Sequence, residues 1–248
     1  MADVIIKAEK LDYASTEAYR ALRTNLKFCG EDKKAIVLTS CTPNEGKSTV
    51  TLYLAMSLAE SGKKVLLVDT DMRKSVLAGN FSADKEVKGL SHFLSGQCYL
   101  QEAISSTNME NLDIIFAGPV PPNPAELLEN SLFDVLLRYG RENYDYVLVD
   151  SPPLGSVIDS AIIAKKCDGA IIVIEAEAIS YRFVKEVKNQ LDKSECPILG
   201  AILNKVDLKE HKYYDYYYGK KRGDYYGQYY GYGSYGHEEE KRRRGKKR

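Results

Sequence analysis

Six short apolar runs, separated by longer amphipathic segments, constrain the fold of this chain more than any other feature of its sequence. The runs cover residues 35–39, 65–69, 112–116, 146–150, 170–174 and 198–203. They are nearly continuous in valine, isoleucine and leucine, which is typical of strands buried on both faces. Strands that alternate with helical segments build βαβ units. The sequence therefore predicts an α/β fold, with a doubly wound, mostly parallel sheet and helices on both faces.

Three segments outside these apolar runs carry helical patterns. Residues 48–61 have apolar side chains at helical spacing and end before Gly62. Residues 124–139 begin at a proline, which suits the first turn of a helix. Residues 15–27 precede the first strand, with Ser15 or Thr16 as the expected N-cap. We therefore predict one helix in each of these three segments.

The last forty residues differ from the rest of the chain. Residues 209–248 contain 12 Lys or Arg against 6 Asp or Glu, no aliphatic side chain, and a cationic end, KRRRGKKR. Such a composition cannot bury enough apolar surface to offset the entropy of ordering, so we expect a tail that is disordered when free. The predicted division is a domain over residues 1–208 and a flexible tail over residues 209–248. The tail holds eleven tyrosines: Tyr213, Tyr214, Tyr216, Tyr217, Tyr218, Tyr225, Tyr226, Tyr229, Tyr230, Tyr232 and Tyr235.

Cysteine usage and apolar content bear on the compartment. The five cysteines are scattered and form no CxxC pair, which argues against a disulfide framework or a zinc site and for a reducing compartment. The sequence shows no signal-peptide pattern and no run of about 18 apolar residues. We therefore expect a cytoplasmic location.

A phosphate-binding loop follows the first predicted strand. Residues 40–49 read SCTPNEGKST, which is a GxxxxGK[ST] loop except that Cys41 stands at the first glycine position. Asn44 tolerates left-handed backbone and is the candidate to supply the turn. Lys47 would reach the β- and γ-phosphates, and the Ser48 hydroxyl would bind Mg²⁺. The predicted nucleotide-binding residues of the loop are Asn44, Glu45, Gly46, Lys47, Ser48 and Thr49.

Two acidic motifs follow other apolar strands. They are Asp69-Thr70-Asp71, after VLLV, and Asp150-Ser151-Pro152-Pro153, after YVLV. Ligands of doubly wound sheets bind at the carboxyl ends of the strands. Three carboxylates at that edge, together with the phosphate loop, predict a P-loop NTPase-type fold with a metal–triphosphate site.

These motifs, in this order, resemble those of the bacterial tyrosine kinases that control capsule and exopolysaccharide synthesis. The resemblance covers the whole chain, because residues 17–23 match that family's ExxRxxR motif and the tail matches its tyrosine cluster. It implies ATP and Mg²⁺ as cofactors, with Lys47 on phosphate and Ser48, Asp71 and Asp150 around the metal. It also implies that Asp69 is the base for the tyrosine hydroxyl, although Asp69 and Asp71 could exchange roles.

The resemblance further implies how the kinase works with partners. Autophosphorylation of the tail in trans is expected within a ring-like homo-oligomer, whose interface includes Glu17, Arg20 and Arg23. A transmembrane modulator would activate the chain at the inner face of the cell membrane, and a protein tyrosine phosphatase would reverse the reaction.

Several alternatives remain open from the sequence. Residues 204–207 read NKVD, which matches the guanine-reading motif of GTPases, although Asn204 at this position contacts adenine in related P-loop ATPases. Arg73 and Lys74 would either assist phosphate binding or form a solvated helix start. Partitioning and division-site ATPases are the rival class, but they carry a lysine where this chain has Thr42. The tail could also serve as an interaction module for nucleic acid or acidic membranes, although we expect no specific nucleic acid partner.

Overall fold

The described part of the chain, residues 4–83 and 86–207 of the computed structural model, alternates between strands and helices. The strands are β1 (Val4–Ile6), β2 (Ala35–Ser40), β3 (Val65–Asp69), β4 (Phe81–Ala83), β5 (Ser105–Ser106), β6 (Leu112–Ile115), β7 (Tyr146–Asp150), β8 (Gly169–Glu175) and β9 (Ile198–Asn204). The α-helices are α1 (Tyr13–Phe28), α2 (Lys47–Glu60), α3 (Leu90–Leu94), α4 (Leu100–Ala103), α5 (Pro124–Glu129), α6 (Ser131–Asn143), α7 (Asp159–Ala164) and α8 (Tyr181–Asp192). The six predicted strands are confirmed.

A seven-stranded sheet forms the centre of the domain. Its order is β5-β6-β3-β7-β2-β8-β9, and every neighbouring pair is parallel except β5 with β6 at one edge. The predicted mostly parallel sheet is therefore confirmed. Because the other six strands run the same way, the loops that follow them all emerge at one edge. The phosphate loop and both acidic motifs lie at this carboxyl edge.

Helices cover both faces of the sheet, as predicted. Alternate residues of β2 show this, because Ile36 packs into one apolar cluster and Val37 into the other. The first cluster takes its helical side chains mainly from α2, such as Leu54, while the second includes Leu136 of α6 and Leu191 of α8. β2, β3 and β7 are buried along their whole length, which explains their continuous apolar sequence.

The prediction of a single helix over residues 124–139 is wrong. The structure divides this segment into α5 and α6 at Asn130, whose backbone is extended with ψ 146°. The Asn130 side chain accepts a hydrogen bond from Leu132 N at 3.0 Å and thereby caps α6. The apolar spacing continues across the break because both helices pack on the same core.

The predicted N-cap of α1 is also wrong by a few residues. Asp12, rather than Ser15 or Thr16, precedes the helix, and its carboxylate accepts a hydrogen bond from Ser15 N at 2.7 Å. Asp12 satisfies one of the free N–H groups of the first turn and lies near the positive end of the helix. The helix therefore begins at Tyr13, two residues earlier than predicted.

Residues beyond Asp207 lie outside the described part of the chain, and so do the eleven tail tyrosines. The boundary at residue 208 and the disorder of the tail stay predictions. Across residues 4–83 and 86–207, none of the helices has both the length and the apolar character that crossing a membrane requires.

Candidate active site

The phosphate loop connects β2 to α2 through two residues with left-handed backbone. Asn44 has φ 69° and Gly46 has φ 83°, so the prediction that Asn44 supplies the turn is confirmed. Gly46 has no room for a side chain, because a Cβ atom there would lie 2.2 Å from Asn204 Nδ2. Cys41, at the first glycine position, is fully buried and leaves the turn to Asn44. Ser48 and Thr49 lie in the first turn of α2.

The side chain of Glu45 points into the protein rather than toward a ligand. It is 1% exposed, and its Oε1 accepts hydrogen bonds from the backbone N–H and the hydroxyl of Thr42. Its Oε2 accepts from Glu175 N at 3.0 Å, at the end of β8. The structure shows that the carboxylate of Glu45 organises the loop, and the binding of nucleotide at Glu45 stays a prediction.

The start of the NKVD segment also contacts the loop. Asn204 Nδ2 donates to Glu45 O at 2.9 Å. Lys205 Nζ donates to Asn44 O at 2.6 Å and pairs with Glu175 at 2.8 Å. These contacts tie the ends of β8 and β9 to the phosphate loop. The contact of Asn204 with adenine stays a prediction, and Lys205 and Glu175 are supports that the sequence did not identify.

Lys47 and Asp150 form a buried ion pair at the centre of the site. Lys47 Nζ lies 2.6 Å from Asp150 Oδ1 and 3.1 Å from Ser48 Oγ. The two charged side chains are only 6% and 1% exposed. Thr51 Oγ1 donates to the same carboxylate oxygen at 3.2 Å. The structure thus brings together Lys47, Ser48 and Asp150, which the sequence assigned to phosphate and metal.

Asp69 lies directly beside Asp150, because the two residues are paired in the register of β3 and β7. Asp69 is fully buried, and this burial raises its pKa to about 7, with a further contribution from the negative charge of Asp150. The Ser75 hydroxyl and Asp71 N donate hydrogen bonds to its carboxylate. A carboxylate with a pKa near neutrality suits proton transfer.

Asp71 has a different environment from Asp69. Its side chain is half-buried, and its Oδ1 accepts a hydrogen bond from Lys74 N at 3.0 Å. The loop that follows β3 therefore presents one buried and one accessible carboxylate at the carboxyl edge of the sheet. This contrast gives the two aspartates separate chemical characters within three residues.

Arg73 is held by a residue that sequence reasoning missed. Its guanidinium forms a two-point ion pair with Asp159, at 2.7 and 3.1 Å, and Asp159 is 1% exposed. Of the two alternatives left open for Arg73 and Lys74, a helix start is excluded because both lie in an irregular loop, and a role in phosphate binding stays a prediction. The pair joins this loop to the beginning of α7. Asp159 lacks a motif of its own, so no sequence signal marks it.

The residues predicted for the oligomer interface lie on α1. Arg20 pairs with Glu17 at 2.6 Å on an exposed surface, with side chains 55% and 45% exposed. Arg23 instead donates to Ser57 O of α2 at 2.6 Å. Arg23 thus supports packing inside its own chain, while Glu17 and Arg20 remain accessible. Their place in an interface stays a prediction.

The strand–loop–helix arrangement, with acidic residues on neighbouring strands, defines a P-loop nucleotide-binding domain. An AAA domain family model matches residues 33–196. The tyrosine-protein kinase CpsD of Streptococcus agalactiae is 43% identical over 206 residues, which are 83% of this chain and 90% of that protein. The kinase domain of the Escherichia coli tyrosine kinase ETK superposes with a TM-score of 0.72 at 34% identity, covering 77% of this chain and 75% of that one. This chain belongs to the family of bacterial tyrosine-protein kinases.

The rival class is more distant. The septum site-determining protein MinD from Pyrococcus horikoshii is 28% identical, with a TM-score of 0.58, covering 68% of this chain and 69% of that chain. Each of these values is lower than the corresponding value for the ETK kinase domain. The shared part is the P-loop fold, and the kinase relationship is the closer one.

Proposed function

We propose that this chain uses Mg·ATP to phosphorylate tyrosines of its own tail in trans, and that it thereby regulates capsular or extracellular polysaccharide synthesis and export. The observation that carries the proposal is the convergence of Lys47, Asp150, Asp69 and Asp71 beside the phosphate loop. The chain that presents this site belongs to a tyrosine-kinase family and carries eleven tyrosines within residues 213–235.

The residues present fit a magnesium–triphosphate group. Within residues 4–83 and 86–207 there is no cluster of three or more side chains that would hold a metal alone. This suits Mg²⁺, which is usually bound by one or two carboxylates together with phosphate oxygens and water. Ser48, Asp71 and Asp150 are the proposed protein ligands. Bound Mg·ATP supplies the transferable phosphoryl group and neutralises its charge.

Lys47 would exchange its partner when nucleotide binds. Its ammonium lies 2.6 Å from Asp150 and is bonded to Ser48, so it already lies among the proposed metal ligands. A triphosphate offers this cation several charged oxygens, and the loop amides add further donors. Lys47 would then hold the β- and γ-phosphates in place for in-line transfer, while Asp150 becomes available to the metal.

Asp69 is the proposed acceptor of the tyrosine proton. A tyrosine hydroxyl has a pKa near 10 and is protonated at neutral pH, so its attack on phosphorus is helped by a nearby base. Asp69 is buried beside Asp150, and Ser75 fixes the orientation of its carboxylate. Asp71 is more accessible, and it would supply the metal contact. Placement and charge neutralisation provide most of the rate.

A mixing experiment tests both the activity and its intermolecular character. One full-length variant has Lys47→Met and an intact tail, and the other has an intact site and phenylalanine at the eleven tail positions. Neither alone should acquire phosphotyrosine in the presence of Mg·ATP, whereas the mixture should acquire it on the Lys47→Met chain. Phosphotyrosine on the phenylalanine variant alone would place the acceptors elsewhere. No phosphotyrosine on the unmodified chain, with or without a modulator, would reject the proposed function.

The proposed assembly is a ring in which each tail enters the next active site. The support is the exposed pair of Glu17 and Arg20 on α1, together with the family's ExxRxxR motif. A head-to-tail contact must either close or form a filament. Light scattering should show a large parent and a monomeric variant with alanine at Glu17, Arg20 and Arg23. Equal masses would reject this interface.

The proposed cellular setting is the cytoplasmic face of the membrane, with a transmembrane modulator as activator and a tyrosine phosphatase as antagonist. It rests on family membership, because the separate-chain kinases of this family act in this way. The cytoplasmic peptide of the modulator should increase autophosphorylation of the purified chain. Polysaccharide should fall in cells that carry only Lys47→Met. Unchanged rates with the peptide, or normal polysaccharide in those cells, would reject the corresponding part.

A further inference from the structure

A cleft of about 410 Å³ lies beside the loop that follows β6, outside the residues discussed so far. One wall is the start of α3, and the other is the proline-rich segment 119–122 with the first turns of α5. Leu90 N and Ser91 N bond to Phe116 O and Ala117 O, which fixes α3 against the end of β6. Its lining includes Ser91, Pro119, Val120, Pro122, Glu126 and Leu127.

The cleft is mainly apolar, and one of its lining residues, Ser91, carries an unsatisfied buried hydroxyl. Ser91 is 6% exposed, and within the described residues its Oγ is the one buried side-chain oxygen or nitrogen without a hydrogen-bond partner. Leaving such a group unpaired is unfavourable, so a ligand that supplies a partner gains affinity and selectivity. The exposed side chain of Val120, at 70%, and the adjoining prolines offer an apolar surface for the rest of the ligand.

The position of the cleft relates it to the proposed catalytic aspartates. β6 and β3 are parallel neighbours, and Ile115 is paired with Val68. Phe116 to Gly118 therefore leave the sheet beside Asp69 to Asp71, one strand spacing away. Neighbouring strands lie about 5 Å apart, so the segment beside the cleft leaves the sheet about 5 Å from the acidic loop. Two to four residues of extended chain span about 7 to 14 Å, which covers this offset together with the depth of the cleft.

We propose that this cleft binds an unphosphorylated tyrosine of the tail segment 213–235 while another tail tyrosine, two to four residues away, occupies the active site. The inference rests on the proposed function. A phenol matches the site because its ring packs on apolar side chains and its hydroxyl both donates and accepts. The tail contains suitable pairs, such as Tyr226 with Tyr229 and Tyr232 with Tyr235.

The charges of the cleft exclude the phosphorylated form. The described residues that line it include Glu126 and the imidazole of His92, but no lysine or arginine. A phosphotyrosine carries about −1.5 to −2 charges, and it would meet the Glu126 carboxylate without a lysine or arginine to pair with. Each phosphorylation therefore leaves fewer tail tyrosines that can bind in the cleft. Tail phosphorylation becomes self-limiting before all eleven tyrosines are modified.

Peptide kinetics test the cleft directly. The enzyme is the full chain with its eleven tail tyrosines changed to phenylalanine, and the substrate is a peptide of residues 224–235. Val120→Asp should raise the peptide KM about tenfold by placing a charge on the apolar wall, with kcat and the KM for ATP within about twofold. Val135→Asp is the matched control on the exposed surface of α6 and should leave all three constants unchanged.

A second comparison tests the hydroxyl pairing. We compare kcat/KM per acceptor tyrosine between a peptide that retains both Tyr226 and Tyr229 and peptides that retain only one of them. The value for the peptide with both tyrosines should be about two- to tenfold higher, because one additional hydrogen bond has an effect of this size. Ser91→Ala should remove this advantage, and phosphotyrosine at position 226 should give none. If the parent phosphorylates the peptides but Val120→Asp behaves like Val135→Asp, or Ser91→Ala keeps the advantage, the cleft inference is wrong. If the parent phosphorylates neither peptide nor tail, the proposed function fails and this inference fails with it.

Discussion

Replacement of Glu45 should show how far the phosphate loop depends on a side chain that never faces the ligand. Its two carboxylate oxygens accept from three donors: the N–H and hydroxyl of Thr42, and Glu175 N. Glu45→Ala leaves the two backbone N–H groups without this acceptor in a part-buried position. At about 1–3 kcal/mol for each unsatisfied group, we expect a loss of about 2–6 kcal/mol in the free energy of unfolding.

Glu45→Gln provides an intermediate case. Glutamine keeps one carbonyl oxygen but presents an NH₂ group to the other donor, so roughly one of the two N–H groups loses its acceptor. The expected loss is about 1–3 kcal/mol. Glu142→Ala, at an exposed glutamate of α6, is the control and should change stability by less than about 0.5 kcal/mol.

Urea unfolding and ATP-binding titrations measure these effects. The loss of stability should be largest for Glu45→Ala, smaller for Glu45→Gln and smallest for the control. The loss of ATP affinity should rank the variants in the same way, because the loop amides lose their fixed orientation. Stability of Glu45→Ala within about 0.5 kcal/mol of the parent would refute the reasoning. So would a normal affinity for ATP despite the expected loss of stability.

Three further predictions concern the surroundings of the loop. Lys47→Met should abolish kinase activity and lower the free energy of unfolding by about 3–5 kcal/mol, because Asp150 is left buried without its cation. The double variant with Asp150→Ala should regain stability, measured by urea unfolding, but should still form no phosphotyrosine. Gly155→Ala should weaken ATP binding about tenfold, measured by titration, because the new Cβ would lie 2.1 Å from a phosphate-loop carbonyl oxygen. Arg73→Ala and Asp159→Ala should each lower kcat about tenfold by releasing the Asp71 loop, and the double variant should be no worse than either in a kinase assay.

The strands and the phosphate loop could be predicted because their sequence signals are local. Val65–Asp69 and Tyr146–Asp150 are apolar throughout since the strands are covered on both faces. Asn44 was identified because the loop needs a left-handed residue after the glycine position occupied by Cys41. Such patterns depend on a few neighbouring residues and can therefore be recognised without knowledge of the tertiary fold.

The residues that hold the site in place do so through contacts between distant parts of the chain, and no local sequence pattern predicts these contacts. Glu45 meets Glu175 across 130 positions, and Arg73 meets Asp159 across 86. The break at Asn130 was missed for a related reason. Apolar spacing reports which face of a segment is buried, and that face is continuous through α5 and α6 even though the helix is not.

The cleft beside β6 shows the same limit at the level of function. Its walls come from the start of α3 and from segment 119–127, which are more than twenty residues apart in the chain. The prolines of that segment indicate only a loop when they are read alone. Gly89 and Gly118 bring the walls together, since a Cβ on Gly89 would lie 2.5 Å from Gly118 N. The Ser91 hydroxyl is left without a partner only in this packed arrangement, so the residue proposed to pair with a second tail tyrosine is set by packing rather than by a motif.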